Sequence, residues 1–423
     1  MRFELTTLVI VGMGYVGLPL AQQAVRNGLD VVGLDTSDRV VGGLTAGVSH
    51  VDDLSDAEIS EMLDGGFRAT TDSSVVASAD TVVICVPTPL GPAGGPDLGA
   101  VLAAGRSIAQ HLTQGTLVVL ESTTYPGTTE EVLRPVLEEG SGLTAGEDFA
   151  LAFSPERVDP GNQTFTIANT PKVVGGLTER CGKQATEFYG QLVERVVSAR
   201  GTREAEMAKL LENTYRHVNI ALVNEMARFS HELGIDFWNV IDLAETKPFG
   251  FQAFRPGPGV GGHCIPIDPN YLSHRVKEQL GYPFRFVELA QEINAGMPRY
   301  VVQRIQTLLN EDAIALRGAE VLLLGITYKP DIADQRETPA KPLAEQLLAQ
   351  GASVSYHDLY VDDWEVDGVR HVGSDDLLAA AQAADVVVLV QKHSGFDLPA
   401  LAGASRRFLD LRGAIDDPRV ERL

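Results

Sequence analysis

A run of aliphatic residues, Leu8-Val9-Ile10-Val11, passes without a break into Gly12-Met13-Gly14-Tyr15-Val16-Gly17. This junction restricts the fold more than any other stretch. The unbroken apolar run reads as a parallel strand buried on both faces. Glycines at this spacing serve a tight turn, a close backbone approach to a pyrophosphate, and close helix–strand packing. Leu18 to Asn27 has helical composition and Gly28 stops it, and a second strand, Val31 to Leu34, ends at Asp35. An acid there accepts hydrogen bonds from ribose hydroxyls and repels a 2′-phosphate. A glycine motif alone is often a turn with no ligand. Strand, motif, helix and acid together point to a dinucleotide, with NAD favoured over NADP, a preference that nearby Arg39 softens.

Further apolar runs, Thr81 to Val86 and Leu117 to Leu120, alternate with a helical stretch around Val101 to His111, which makes the start of the chain a doubly wound α/β sheet. Thr202 to Leu233 then reads as one helix without internal glycine or proline, stopped by Gly234. At 1.5 Å per residue it spans roughly 48 Å. Such a spine must cover apolar residues such as Leu222 and Phe229, so a dimer through this helix is expected. From Glu320 the α/β alternation restarts, with strands at Val321–Leu324, Ser353–Tyr356 and Val386–Val390 and a helix at Pro342–Gln350. The expected division is 1–200, 201–316 and 317–423: two Rossmann-like doubly wound domains joined by a helical middle. The first would bind NAD, the second carry dimerisation and a reactive loop, and the third bind the substrate's nucleotide.

The formal charge is −23, from 34 basic and 57 acidic residues. That field repels nucleic acid and anionic membrane, so neither is expected as a partner. No apolar run reaches the ~18 residues that cross a bilayer. Met1 to Leu5 carries an acid and leads into a strand, which is unlike a secretory signal. Cys85, Cys181 and Cys264 are too widely spaced for a disulfide framework or a zinc site, so no metal and a cytoplasmic setting are expected.

Three regions carry candidate chemistry beyond the first turn. Glu206, Lys209, Asn213 and Arg216 follow one another at i, i+3, i+7 and i+10 along the long helix. Such a stripe is most often solvated, but a lysine and an asparagine facing a cleft could meet a reacting oxygen. Arg255-Pro256-Gly257-Pro258-Gly259-Val260-Gly261-Gly262-His263-Cys264 is a loop whose backbone can wrap closely round a ligand. Single cysteines are usually buried and inert. Cys85 fits that description and Cys181 shows nothing catalytic, whereas Cys264 sits among polar neighbours, His263 and Asp268. Adjacent side chains in an extended loop point apart, which argues against a His263–Cys264 pair. In the last domain, Gly325-Ile326-Thr327-Tyr328-Lys329-Pro330 keeps one glycine of the fingerprint and gains a lysine, favouring a phosphate or diphosphate over a second dinucleotide.

These motifs in this order resemble the UDP-glucose/GDP-mannose dehydrogenase family over nearly the whole chain. They comprise the glycine turn, Glu121-Ser122-Thr123, Ser154-Pro155-Glu156-Arg157, the Lys209/Asn213 helix, the loop into Cys264 and Asp268, and Tyr328-Lys329-Pro330 with Arg336. The stretch from Thr246 to Pro269 looks most like the bacterial enzymes acting on UDP-N-acetylglucosamine. The resemblance implies oxidation of a primary alcohol to a carboxylate with two NAD and one water, in polysaccharide biosynthesis. It implies Cys264 as the nucleophile that captures the aldehyde. A thiol is both nucleophile and leaving group, and covalent capture keeps the aldehyde from escaping.

By the same resemblance Lys209 and Asn213 stabilise an oxyanion, Asp268 acts as base with Thr123 positioning water, and Glu156 assists hydrolysis. Arg157, Val158, Lys209, Asn213 and Arg216 would hold the UDP-sugar together with Gly261, Tyr328 and Lys329. Gly12, Gly14, Tyr15, Val16 and Gly17 would hold NAD with Asp35, Arg39, Thr88 and Thr123, and Arg336 would reach it as well. Relatives acting on UDP-N-acetylmannosamine place His and Arg where this chain has Pro248 and Gly250. UDP-glucose dehydrogenases tend to carry an arginine thereabouts. Both departures favour UDP-N-acetylglucosamine over those two sugars. A two-electron hydroxyacid-type dehydrogenase would share the first domain without needing Cys264. An NAD-binding sensor would have no use for Cys264, Lys209 and Asp268 together.

Overall fold

The computed structural model describes residues 7–51, 54–91, 95–157, 164–262, 265 and 267–423. The chain forms two compact units, one of residues 1–212 with 270–281, the other of 213–269 with 282–423.

The first unit is built on an eight-stranded sheet. Its strands are β1 (Thr7–Val11), β2 (Asp30–Leu34), β3 (Arg68–Thr70), β4 (Thr81–Ile84), β5 (Leu117–Leu120), β6 (Ala150–Phe153), β7 (Lys172–Gly176) and β8 (Val196–Ser198). They lie in the order β3-β2-β1-β4-β5-β6-β7-β8. The order reverses between β1 and β4, and ligands of open α/β sheets bind outside the carboxyl ends of the strands at such a reversal. Leu8, Ile10, Val31 and Val83 pack into one core while Val9, Val11, Val32 and Val82 pack into another. The two-residue side-chain period thus feeds helices on both faces. The β-branched runs that announced β1, β2, β4 and β5 are buried as expected. Strands β6 to β8 carry weaker signals, and β7 runs antiparallel to β6.

The long helix covers Thr202–Glu232. Gly234, with φ +67°, ends it by donating its N–H to the His231 carbonyl. In the second unit a six-stranded parallel sheet is formed by β9 (Glu320–Leu324), β10 (Ser353–His357), β11 (Val369–His371), β12 (Val386–Leu389), β13 (Phe408–Asp410) and β14 (Glu421–Arg422), in the order β11-β10-β9-β12-β13-β14. Val301, Ile305 and Leu308 of the helix Arg285–Glu311 pack on one face of it. Leu322, Leu324 and Val387 form the core on the other. The fold is therefore α/β, with two doubly wound sheets and a long intervening helix. Among the described residues no helix is long and apolar enough to cross a membrane.

Candidate active site

In the first unit Gly12 adopts φ +95°, a conformation open to glycine, and a Cβ there would lie 2.7 Å from the Cys85 carbonyl oxygen. A Cβ on Gly17 would lie 1.9 Å from the Gly12 carbonyl oxygen, which is the close helix–strand packing read from the motif. A Cβ on Gly14 would meet nothing within 4 Å, so the turn faces open space there. The helix Gly17–Arg26 begins directly behind it, and Val16 at its N-cap has no side-chain oxygen to occupy the first N–H groups. The Asp35 carboxylate accepts the Met13 N–H and the Ser37 N–H, both at 2.9 Å, and stands at the tip of β2. This cradle fits NAD: glycines for the pyrophosphate, an uncapped helix start, and an acid for the ribose. Tyr15 and Val16 are half-buried beside it, and Arg39 is exposed. His50, not anticipated from sequence, bonds the Met13 carbonyl at 2.7 Å and so braces the turn.

Thr88 is buried and its hydroxyl donates to the Thr123 carbonyl at 2.8 Å. The Thr88 carbonyl in turn accepts from the hydroxyl of Tyr271. Thr123 is half-buried.

Lys209 is 8% exposed and its ammonium donates to the Glu156 carbonyl. The Glu156 carboxylate accepts the Arg157 N–H at 2.7 Å. The Arg157 guanidinium is held by Glu212 at 2.7 Å and by the Pro171 carbonyl at 2.7 Å. A buried cation missed in the sequence stands behind this group: Lys172 Nζ lies 3.0 Å from Glu121 and 3.4 Å from Glu156. Burial works against its charge, but the two carboxylates outweigh it and push the ammonium up to about 12. Lysine is almost never fully buried unless paired, so only its partners, distant in sequence, could have revealed it.

Glu206 is fully buried rather than solvated. It accepts the Gly127 N–H at 2.6 Å, the Thr129 N–H at 2.9 Å and the Thr129 hydroxyl at 2.7 Å. Lys209 and Asn213 are buried as well, whereas Arg216 is exposed. The helix stripe is thus not a uniformly solvated face.

In the second unit Asn213, 7% exposed, donates its side-chain amide to the Asp268 carboxylate at 2.5 Å, and Asp268 is 2% exposed. Cys264 and its neighbour His263 lie outside the described residues, as does Val158. The glycine-rich loop leading towards them is tied down: Gly257 N–H donates to Asn224 at 2.9 Å, and Asn224 donates to Asn294 at 2.9 Å. Gly262 N–H donates to the Arg336 carbonyl at 3.0 Å. A Cβ on Gly261 would fall 2.5 Å from Tyr328, and one on Gly262 2.7 Å from its ring, so the loop backbone lies directly on that side chain. The exposed Arg336 guanidinium pairs with Asp334 at 2.5 Å. Lys329 is half-buried, and its carbonyl accepts the Thr327 hydroxyl at 2.8 Å.

The turn after β9 repeats the first one. Gly325, at φ +72°, donates to the His357 carbonyl at 2.9 Å, as Gly12 does to Leu34 at 2.8 Å. Asp358 accepts the Ile326 N–H at 2.7 Å, as Asp35 accepts that of Met13. Here, however, a buried His393 lies 2.9 Å from the same acid. Burial raises the Asp358 carboxyl, but His393 and the backbone donors outweigh it and hold it below its usual range.

The chain matches the UDP-glucose/GDP-mannose dehydrogenase family over three domains: NAD binding at residues 6–193, central at 203–296 and UDP binding at 322–417. It is 34% identical to a UDP-N-acetyl-D-glucosamine 6-dehydrogenase of Pseudomonas aeruginosa, over 98% of each chain. It is also 34% identical to a UDP-N-acetyl-D-mannosamine dehydrogenase of Pyrococcus horikoshii, over 92% of this chain and 90% of that one. The solved structure of a UDP-D-ManNAc dehydrogenase from Pyrococcus horikoshii superposes with a TM-score of 0.88 at 32% identity, covering 99% of this chain and 98% of the other. The chain belongs to the UDP-glucose/GDP-mannose dehydrogenase family and is an NAD-dependent UDP-sugar dehydrogenase.

Proposed function

We propose that the protein oxidises the C6 primary alcohol of UDP-N-acetylglucosamine to the carboxylate through a covalent intermediate on Cys264. The supporting observation is the buried Asn213–Asp268 pair, whose acid stands four residues beyond Cys264 in the loop-to-helix junction. Gly12 to Gly17 and Asp35 would hold NAD, which when bound would supply the hydride acceptor for each of two oxidations, giving two NADH per sugar. Asp268 removes the proton from the C6 hydroxyl, and Lys209 and Asn213 stabilise the oxyanion. The Cys264 sulfur adds to the aldehyde carbon to form a thiohemiacetal, which the second oxidation converts to a thioester. Water, positioned by Thr123 and assisted by Glu156, adds to the thioester carbonyl; the carbon–sulfur bond breaks and the thiolate leaves.

Arg157, Tyr328 and Lys329 hold the nucleotide-sugar in this reading, with Val158, Arg216 and Gly261. Arg39, Thr88 and Arg336 support NAD. The proposed functional division follows residues 1–200, 201–316 and 317–423, in a cytoplasmic homodimer.

The choice of sugar rests on Pro248 and Gly250 standing where basic residues are expected for UDP-N-acetylmannosamine. The second reading, the same chemistry on UDP-N-acetylmannosamine, draws on the Pyrococcus horikoshii relative and its structure. A panel of UDP-sugars with NAD, scored for NADH released per sugar consumed, decides between them. The expected result is two NADH per sugar and the fastest turnover with UDP-N-acetylglucosamine. One NADH per sugar, or acid formation by Cys264→Ala at near wild-type rate, refutes the covalent route. Replacing the Cys264 thiol should cost roughly 10³-fold or more while NAD still binds.

A further inference from the structure

Lys172, the first residue of β7, is charged, 6% exposed and unaccounted for by the reaction as described. Its ammonium sits between two carboxylates of unequal environment. On one side Glu121, at the end of β5, has a fully buried side chain, and the same oxygen that meets Lys172 accepts the hydroxyl of buried Tyr189. On the other side the Glu156 side chain retains 13% exposure. The ammonium therefore links a closed anchor to a carboxylate that reaches outward. A buried ion pair is weak as a source of stability, since apolar residues of similar volume usually serve as well. A role in orienting a charged group is the better account of a lysine here.

We propose that Lys172 is a positioning residue for the reaction, fixing the Glu156 carboxylate in its ionised, aimed state while Glu121 and Tyr189 hold the ammonium from behind. This rests on the reading of Glu156 as the group that assists hydrolysis. Other groups meet Glu156 as well. Arg157 donates its backbone N–H to it, and Lys209 donates to the Glu156 carbonyl. Glu121 lies 3.0 Å from the Lys172 ammonium, the Tyr189 ring centroid lies 5.2 Å from it, and Cys85 is close enough to act on its charge. Burial pushes the Cys85 thiol and the Tyr189 phenol well up, so both stay neutral. Burial also raises the Glu121 carboxyl, against the pull of Lys172. Among the described residues, Lys172 is a buried cation in direct contact with the Glu156 side chain.

The test is the pH dependence of kcat, with NAD and the best UDP-sugar of the panel, for the wild type and for Lys172→Met, Lys172→Arg, Glu121→Gln and Glu156→Gln. Loss of a cation this close raises a carboxyl by about one to three pH units. Lys172→Met should therefore move the acid limb up by about one unit or more, so that the fall in kcat relative to the wild type grows as the pH is lowered from neutrality. Lys172→Arg keeps the charge and should restore the limb. Glu121→Gln, which removes the competing carboxylate but keeps an acceptor for Tyr189, should move the limb down.

A lysine that merely supports the fold would lower kcat at every pH without moving the limb, and that result overturns the proposal. Should Lys172→Met fail to fold, the downward shift in Glu121→Gln decides, and an unmoved limb there counts equally against it. Glu156→Gln separates the two layers of the argument. If it turns over like the wild type, the hydrolytic role of Glu156 fails and the proposal falls with it. If it collapses while the other variants leave the limb in place, only the role of Lys172 is refuted.

Discussion

Asn213 donates its amide to the carboxylate of Asp268 across 2.5 Å, and both side chains are buried. The contact joins the long helix to the start of the helix Asp268–Leu280, and it orients an acid that has little solvent to orient it. Asp268→Asn should therefore lower kcat by about 10²-fold or more, with a smaller effect on KM. Asn213→Ala should lower kcat by a comparable factor, because it removes a proposed oxyanion donor and leaves Asp268 short of a partner. Steady-state kinetics on the two variants check this; a change in KM alone would count against a role in the reaction.

Asp35 holds the Met13 and Ser37 N–H groups and presents its charge at the tip of β2. A 2′-phosphate would be forced against that carboxylate. We expect kcat/KM with NAD to exceed that with NADP, and Asp35→Ser to narrow the gap. Equal efficiency with both cofactors in the wild type would remove this role for Asp35.

Glu206 makes a prediction about stability rather than rate. Burial is the main cause that raises its carboxyl, from an ordinary 4.5 to about 7, against the pull of the Gly127 and Thr129 donors. The folded protein thus holds this proton more tightly than the unfolded chain. Stability present below pH 4.5 is lost as the pH rises towards 7, by about 3 kcal/mol. Urea midpoints should fall more between pH 5 and pH 8 in the wild type than in Glu206→Gln, which cannot titrate. An equal fall in both proteins contradicts the assignment. At pH 5 the Gln variant should already be weaker by about 1–3 kcal/mol, since its NH₂ faces an N–H donor.

Leu222 and Phe229 on the long helix are 51% and 47% exposed. A second copy of the chain, covering this helix, is the proposed occupant of that surface. Light scattering at micromolar concentration should give at least twice the 45.4 kDa of one chain, and Phe229→Asp should shift the mass down. A wild-type mass near that of one chain refutes the dimer.

What the sequence determined by itself is local. Val9 and Ile10 announce a two-faced strand because β-branched side chains suit a buried pleat, and Gly12 and Gly17 announce the turn because a Cβ at either would collide with backbone. Asp35 was legible because its place depends only on the length of one helix and one strand. The single glycine at Gly325 likewise foretold a modified turn in the second sheet.

What only the tertiary structure decided involves residues brought together across long separations. The antiparallel β7 places Lys172 among Glu121, Glu156 and Tyr189, and Tyr189 lies 68 residues from the acid it meets. Whether a charge is buried and paired depends on which strands become neighbours, and no short-range pattern encodes that. Glu206 reads as one more polar residue of a helix stripe until Gly127 and Thr129 arrive over it. His393 likewise distinguishes Asp358 from Asp35 from 35 residues further along the chain. Backbone sterics act within a few residues and are written in sequence order; the pairing of buried charges is settled only once the sheets have formed.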